Sequence, residues 1–158
     1  MANRSLNSVR PFSLDDFMRE SNRIEGIHRD PTKREIEATA RFLSCTQAVT
    51  ITDLIALVAV YQPNARPRFS QGLDVYVGQY QAPRGGPHIQ QSLQLLLDAA
   101  SPRSADPYLI HVAYEKLHPF TDGNGRSGRA LWLWCMGGMW KAPLGFLHHF
   151  YYQTLQHS

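Results

Sequence analysis

Residues 118 to 129 read HPFTDGNGRSGR, and this stretch gathers an imidazole, a carboxylate, a glycine-flanked turn and two guanidinium groups within twelve positions. His118 follows a segment of helical character, 106 to 117, in which Asp106 is placed to cap and Pro107 sits at the first helical position. Pro119 stops that helix. An imidazole at such a corner has rigid neighbours and an ordinary pKa near 6.5, so it can take a proton from a hydroxyl at neutral pH. Gly123, Asn124 and Gly125 open backbone conformations that let consecutive N–H groups converge on one anion. The apolar run Ala130 to Trp134 predicts a second helix beginning about there, with its positive end toward the same anion.

Asp122 stands just before this cradle, where one carboxylate suffices for Mg²⁺ held mainly by water and phosphate oxygens. Arg126 and Arg129 lie three apart, on one helical face, and carry planar forks suited to the distal phosphates of a triphosphate. Singly these residues are ordinary: a histidine before proline is usually a cap, an Asp-Gly a turn, an arginine pair a solvated face. As an ordered set they predict a nucleoside triphosphate site. Phe120 is the exception within the stretch, and its ring is expected to anchor the loop in the core.

The stretch resembles the signature of the Fic domain family, HPFx[DE]GNGRxxR, with every defining position matched. The resemblance implies transfer of AMP from ATP to a hydroxyl side chain of a target protein, with Mg²⁺ as cofactor and pyrophosphate as leaving group. Residue by residue, it makes His118 the base and Asp122 the ligand of a Mg²⁺ bridging the α- and β-phosphates. Gly123, Asn124 and Gly125 become the anion hole, with the Asn124 side chain also on phosphate, and Arg126 and Arg129 the β- and γ-phosphate clamps. A phosphotransferase branch carries alanine and lysine where this chain has Gly123 and Gly125, which favours attack at the α-phosphorus.

Residues 21 to 26 read SNRIEG. Ser21 and Glu25 are four apart and share one face of a short helix opened by a Ser13 cap with Asp16 three residues on. A lone glutamate of this kind is usually solvated. The segment, however, resembles the inhibitory motif [ST]xxxE[GN] of regulated Fic proteins, which implies that Ser21, Glu25 and Gly26 form a built-in inhibitor whose Glu25 pairs with Arg129 in place of the γ-phosphate. Residues 13–27 are accordingly expected to form an N-terminal inhibitory helix.

Residues 74–83 read DVYVGQYQAP, and alternating Val75 and Val77 with a Gly78 turn predict a β-hairpin. On its pattern alone this is a minor surface feature. The resemblance makes Val75, Tyr76, Val77, Gly78, Gln79 and Tyr80 a flap that docks the target's main chain by strand addition. The closing FYYQTL resembles the family's C-terminal helix, so Tyr151 and Tyr152 are candidate adenine contacts, although the asparagine that follows in the family is not reached by Ser158.

The remaining sequence predicts an all-α bundle of the Fic type with one small hairpin, a single domain over 1–158 whose core is the helix, signature loop and helix of 106–139. Thr32 with Glu35 opens a helix expected to run to about Val49, and Thr50 with Asp53 opens another ending before Pro63. Residues 63 to 72 form a loop, 87 to 100 a helix with leucines at 93, 96 and 97, and a last helix falls near 148 to 156. Leu131 to Trp140 reads as the central buried helix, far short of the ~20 residues needed to cross a bilayer. The chain of 158 residues is 43% apolar and 18% charged, ordinary for a globular domain. A net charge of +3, without a basic run, predicts neither nucleic-acid nor membrane binding, and Arg66 and Arg68 read as loop residues. Cys45 and Cys135 lack metal-ligand spacing and read as reduced thiols, adjacent His148 and His149 cannot share a helical face, and no hydrophobic leader precedes Arg10, all consistent with a cytoplasmic protein.

The partners implied are ATP and a protein bearing a Ser, Thr or Tyr hydroxyl; assembly governs the inhibitory helix in some relatives, and whether this chain forms a homo-oligomer is left open by its sequence. Three alternatives stand beside AMP transfer: a de-AMPylating hydrolase in which Glu25 orients water, a transferase of another nucleotide moiety, and a non-catalytic ATP-sensing module.

Overall fold

A computed structural model describes residues 13–101 and 105–137. The expected final helix, with Tyr151, Tyr152, His148 and His149, lies outside them. Within the described residues the chain forms six helices and one two-stranded sheet, the expected all-α bundle with a small hairpin.

Three helices open on reciprocal side-chain caps. α1 (Leu14–Ile24), α2 (Lys33–Leu43) and α3 (Ile51–Tyr61) follow Ser13, Thr32 and Thr50, and Asp16, Glu35 and Asp53 reach back to the capping residue's N–H. α2 is shorter than expected. Ser44 turns its hydroxyl back onto the Arg41 carbonyl (2.6 Å), and the Cys45 carbonyl is taken by the Trp134 indole N–H (2.7 Å), so the helix ends at Leu43 rather than near Val49.

The hairpin pairs β1 (Tyr76–Val77) with β2 (Tyr80–Gln81), Tyr76 opposite Gln81 and Val77 opposite Tyr80. α4 (Pro87–Ala100) has the expected bounds, and α5 (Pro107–Leu117) starts at the Asp106 cap, whose carboxylate accepts from the Tyr108 N–H (2.9 Å).

α6 (Asn124–Met136) differs from expectation by starting six residues before Ala130. Its first residues, Asn, Gly, Arg, Ser and Gly, are mostly poor helix formers, and tertiary packing overrides that preference. Gly128 shows how: a Cβ there would lie 2.5 Å from Glu115 Oε1 and 2.9 Å from Tyr114 Cδ1, so only a bare backbone lets α6 approach α5 this closely. α6 is the central helix, buried from Arg126 through Cys135, and packs against α5, α2, α3 and α1. Gly137 ends it in the left-handed conformation.

Around α6 lie Phe17 and Met18 of α1, Phe42 of α2, Leu54, Leu57 and Val58 of α3 and Tyr114 of α5, each under 5% exposed. Burying each aliphatic or phenyl side chain is worth about 1.5–3 kcal/mol, so α1 is fastened to the bundle by more than its polar contacts. No helix among the described residues is long and apolar enough to cross a membrane.

Candidate active site

His118 occupies the corner between α5 and the signature loop. It caps α5 in the left-handed region (φ 52°, ψ 62°), the only non-glycine residue with positive φ among those described. That conformation costs a side-chain-bearing residue free energy, so the surroundings must impose it. Its Nδ1 lies 3.0 Å from the Glu115 carbonyl. A carbonyl only accepts, so Nδ1 carries the proton and Nε2 keeps the lone pair. Burial holds the imidazole pKa below its usual value, helped by the Arg68 cation and opposed by the Glu115 carbonyl bond and the Glu25 and Asp122 carboxylates. Near pH 7 the ring is therefore neutral and able to accept a proton.

Beyond it, Phe120 is 1% exposed, the expected anchor. Asn124 is a correction. Its amide clasps the backbone of Phe120, Oδ1 accepting from the N–H (2.9 Å) and Nδ2 donating to the carbonyl (2.8 Å). Being 2% exposed and committed at both ends, the Asn124 side chain shapes the loop rather than reaching out to a phosphate.

Gly123 takes a positive φ of 79° at the N-cap, and the first α6 bond runs from the Ser127 N–H to the Gly123 carbonyl (3.1 Å). The N–H groups of Asn124, Gly125 and Arg126 therefore precede the helical ladder and form its electropositive mouth. Asp122 is exposed beside that mouth, with Oδ1 accepting from the Gly123 N–H (2.8 Å) and Oδ2 from Gln62 Nε2 (2.6 Å). No group of three or more His, Cys, Asp or Glu residues forms a metal-binding cluster among the described residues. A lone exposed carboxylate fits a cation coordinated chiefly by water and phosphate oxygens.

The two arginines diverge. Arg126, 6% exposed, donates from Nη2 to the Tyr61 carbonyl (2.9 Å) and Gln62 Oε1 (3.3 Å) and stacks over the Tyr61 ring at 5.1 Å. Its Nη1 is buried without a hydrogen bond, 3.8 Å from Glu35 Oε1. Arg129 turns to α1 instead. It donates from Nε to Ser21 Oγ (2.7 Å), and from Nη2 to the Ser21 carbonyl (3.1 Å) and Glu25 Oε1 (2.6 Å). The Glu25 carboxylate also lies directly over Gly125: a Cβ there would overlap Oε1 and sit 3.0 Å from the carboxylate carbon. The structure thus brings Ser21 and Glu25 together with the helix mouth and Arg129, as expected. Gly26, at φ 74°, turns the chain away after α1.

The hairpin meets this site at its base. Tyr76 is 66% exposed, whereas Tyr80 is half-buried and donates its hydroxyl to the Lys116 carbonyl (2.7 Å), just ahead of His118.

Four residues escaped sequence reasoning. Arg68, read as a loop residue, is fully buried against the His118 turn. Gln62 bridges Asp122 and Arg126. Glu35 accepts both terminal nitrogens of Arg29, which with the N-terminal capping bond and Arg126 nearby depresses its pKa against burial. Glu115 is buried beneath Arg129 with Oε1 unpartnered, and burial pushes its pKa up to about 7. Of these only Glu35 left a local signal, its place in a capping box.

A model of the Fic/DOC family matches residues 43–136, more than half of the chain. The match spans α3 through α6 and begins after the Ser21 to Gly26 segment. No curated protein matches the chain. The family is generally linked to AMPylation or related nucleotidyl transfer, and its domains are commonly transferases. With the whole signature assembled around one helix mouth, the chain belongs to the Fic/DOC family.

Proposed function

We propose that this protein transfers AMP from Mg-ATP to a hydroxyl side chain of another protein and is restrained by its own α1. The observation that carries the reading is the Glu25 carboxylate seated between the α6 mouth and Arg129. An anion already occupies the place prepared for anions.

In this reading, the helix mouth and Arg129 hold phosphate oxygens once Glu25 withdraws, while Arg126, held by Tyr61 and Gln62, adds positive charge behind them. Asp122 is the residue that would hold Mg²⁺, with Gln62 steadying it; the cation would neutralise charge on the phosphate oxygens. His118 Nε2 takes the hydroxyl proton as the hydroxyl oxygen bonds to the α-phosphorus. The bond from that phosphorus to the bridging oxygen breaks, and pyrophosphate leaves with its electron pair. Burial of the imidazole, with Nδ1–H tied to Glu115, keeps Nε2 ready for that proton. With Glu25 in place the triphosphate tail cannot take Arg129, so productive binding is blocked.

The test incubates lysate proteins with Mg-ATP and Glu25→Gly protein, with His118→Ala in the same background as control, followed by mass spectrometry. The expected result is AMP mass added to Ser, Thr or Tyr residues only when His118 is intact. Loss of AMP from a pre-modified protein would select hydrolysis, addition of a different moiety from another nucleotide would select that transfer, and tight ATP binding without mass change would select a sensing module.

A further inference from the structure

Residues 66 to 68 run beside the signature loop as a short extended segment. Arg66 donates its N–H to Thr121 Oγ1 (2.9 Å) and accepts from the Thr121 N–H (2.9 Å), Pro67 pairs with Phe120, and Arg68 donates its N–H to the Pro119 carbonyl (2.8 Å). The Arg68 side chain then turns inward, 0% exposed, and reaches four backbone carbonyls. Nε donates to His118 (2.6 Å) and Nη2 to Leu117 (2.9 Å), while Nη1 donates to Leu73 (3.0 Å) and Pro83 (2.8 Å).

Two of these carbonyls belong to the turn that presents the imidazole. The other two bracket the hairpin at its two ends. The Arg68 carbonyl in turn accepts from Gly86 (2.9 Å), and Asp74 Oδ1 accepts from Gly85 (2.9 Å), closing the hairpin base. Burial disfavours the cation, the Asp74 carboxylate offsets part of that, and all of its hydrogen bonds go to carbonyls; a planar five-donor fork is the side chain that can satisfy such a ring, and lysine cannot span it.

We propose that Arg68 is a positioning residue that clamps the hairpin and the His118 turn into one unit, so that a hydroxyl offered along the hairpin meets the imidazole in fixed register. This role rests on the proposed transfer, with His118 as its base and the hairpin as the edge that receives the target chain. The clamp also explains how His118 is kept at positive φ, since the carbonyl of that same residue is gripped by Arg68 Nε. The Arg68 cation further opposes protonation of His118, in concert with burial and against Glu25, Asp122 and the Glu115 carbonyl.

The experiment uses full-length Glu25→Gly protein as parent and adds Arg68→Lys or Arg68→Gln. Amide hydrogen exchange, NMR titration of His118 (assigned by His118→Ala) and label transfer from [α-³²P]ATP to lysate proteins are measured together. Exchange in residues 74–83 and 117–121 is expected to rise in concert in both variants while α3 stays protected. Label transfer in Arg68→Lys is expected to fall by roughly tenfold or more at saturating Mg-ATP, with ATP affinity within about twofold of the parent. His118 should move up toward 6.5 in both variants as the turn that buries it loosens, and further in Arg68→Gln, which also loses the positive charge. Tyr80→Phe, which cuts the other strap and leaves the four Arg68 hydrogen bonds in place, should loosen 74–83 alone.

Undiminished transfer in Arg68→Lys, or exchange rising in only one of the two segments or throughout the protein, would overturn the clamp. If the Arg68 variants do not fold, Tyr80→Phe loosening 117–121 as well would overturn it, because the clamp should hold that turn unaided. An inert Glu25→Gly parent would overturn the transferase reading instead, and with it the part given to Arg68 in transfer, while exchange and titration still report the contact itself.

Discussion

Replacing Glu25 by glycine should release the site without detaching α1. The helix remains fastened by buried Phe17 and Met18 and by the two bonds from Arg129 to Ser21, so the substitution removes one carboxylate and little else. The lost bond is charge-assisted and short, at 2.6 Å, but the Glu25 side chain is 38% exposed, so solvent screens it. Screening leaves roughly half of the about 1.5–3 kcal/mol typical of a hydrogen bond to a charged group, about 0.8–1.5 kcal/mol. A second contribution is the repulsion between that carboxylate and an arriving phosphate oxygen, about 4 kcal/mol for unit charges ~4 Å apart near a protein surface. Each ~1.4 kcal/mol is a factor of ten, so the first contribution alone gives roughly a fourfold to tenfold rise, and the second carries the ceiling well beyond it. The assay is the initial rate of label transfer from [α-³²P]ATP to lysate proteins, with thermal melting to show that both proteins are folded. Ser21→Ala, which leaves the carboxylate in place, should rise less than Glu25→Gly. Equal rates for wild type and Glu25→Gly, with both binding Mg-ATP, would refute the reasoning.

Other consequences concern pH and packing. The folded Glu115 pKa of about 7 lies above its ordinary 4.5, so its protonated form favours the fold; that stability is complete below 4.5 and is lost as pH rises through about 7. Glu115→Gln should therefore gain on wild type between pH 4.5 and 8, by on the order of 3 kcal/mol in urea unfolding, and a pH-independent difference would contradict the burial argument. His111 runs the other way: burial holds it to about 3, so its stabilisation is present above 6.5 and lost as pH falls, and acid unfolding of His111→Gln should be displaced to lower pH. Because burial lowers the His118 pKa, the acid limb of kcat/KM for Glu25→Gly should fall below pH 6.5; a limb above that value would contradict a buried neutral base. Gly128→Ala would place a methyl 2.5 Å from Glu115 Oε1 and 2.9 Å from the Tyr114 ring, and should cost about 1–3 kcal/mol of stability by calorimetry.

The parts legible in sequence were those written locally or in a motif. Capping boxes at Ser13, Thr32 and Thr50 announce themselves within three residues, and they fixed three helix starts. The pairing of Glu25 with Arg129, 104 residues apart, was legible only because both segments resemble motifs of one family. The true start of α6 was hidden because NGRSGR has little helical preference of its own and is held helical by its neighbours. Asn124 gave no sign that both ends of its amide are spent on Phe120, nor Glu115 that a charged residue beside Lys116 would be buried. Arg68 was obscured most completely, because a loop arginine between prolines and polar residues is normally solvated, and its carbonyl partners lie up to 50 residues away.

The most direct measurement of the central claim compares two isotopic forms of ATP with Glu25→Gly protein and lysate targets, one labelled at the α-phosphate and one at the γ-phosphate. Transfer of the α-label alone, abolished by His118→Ala, is the predicted result. Transfer of the γ-label, or α-label transfer that survives loss of His118, would contradict attack at the α-phosphorus by a hydroxyl that His118 activates.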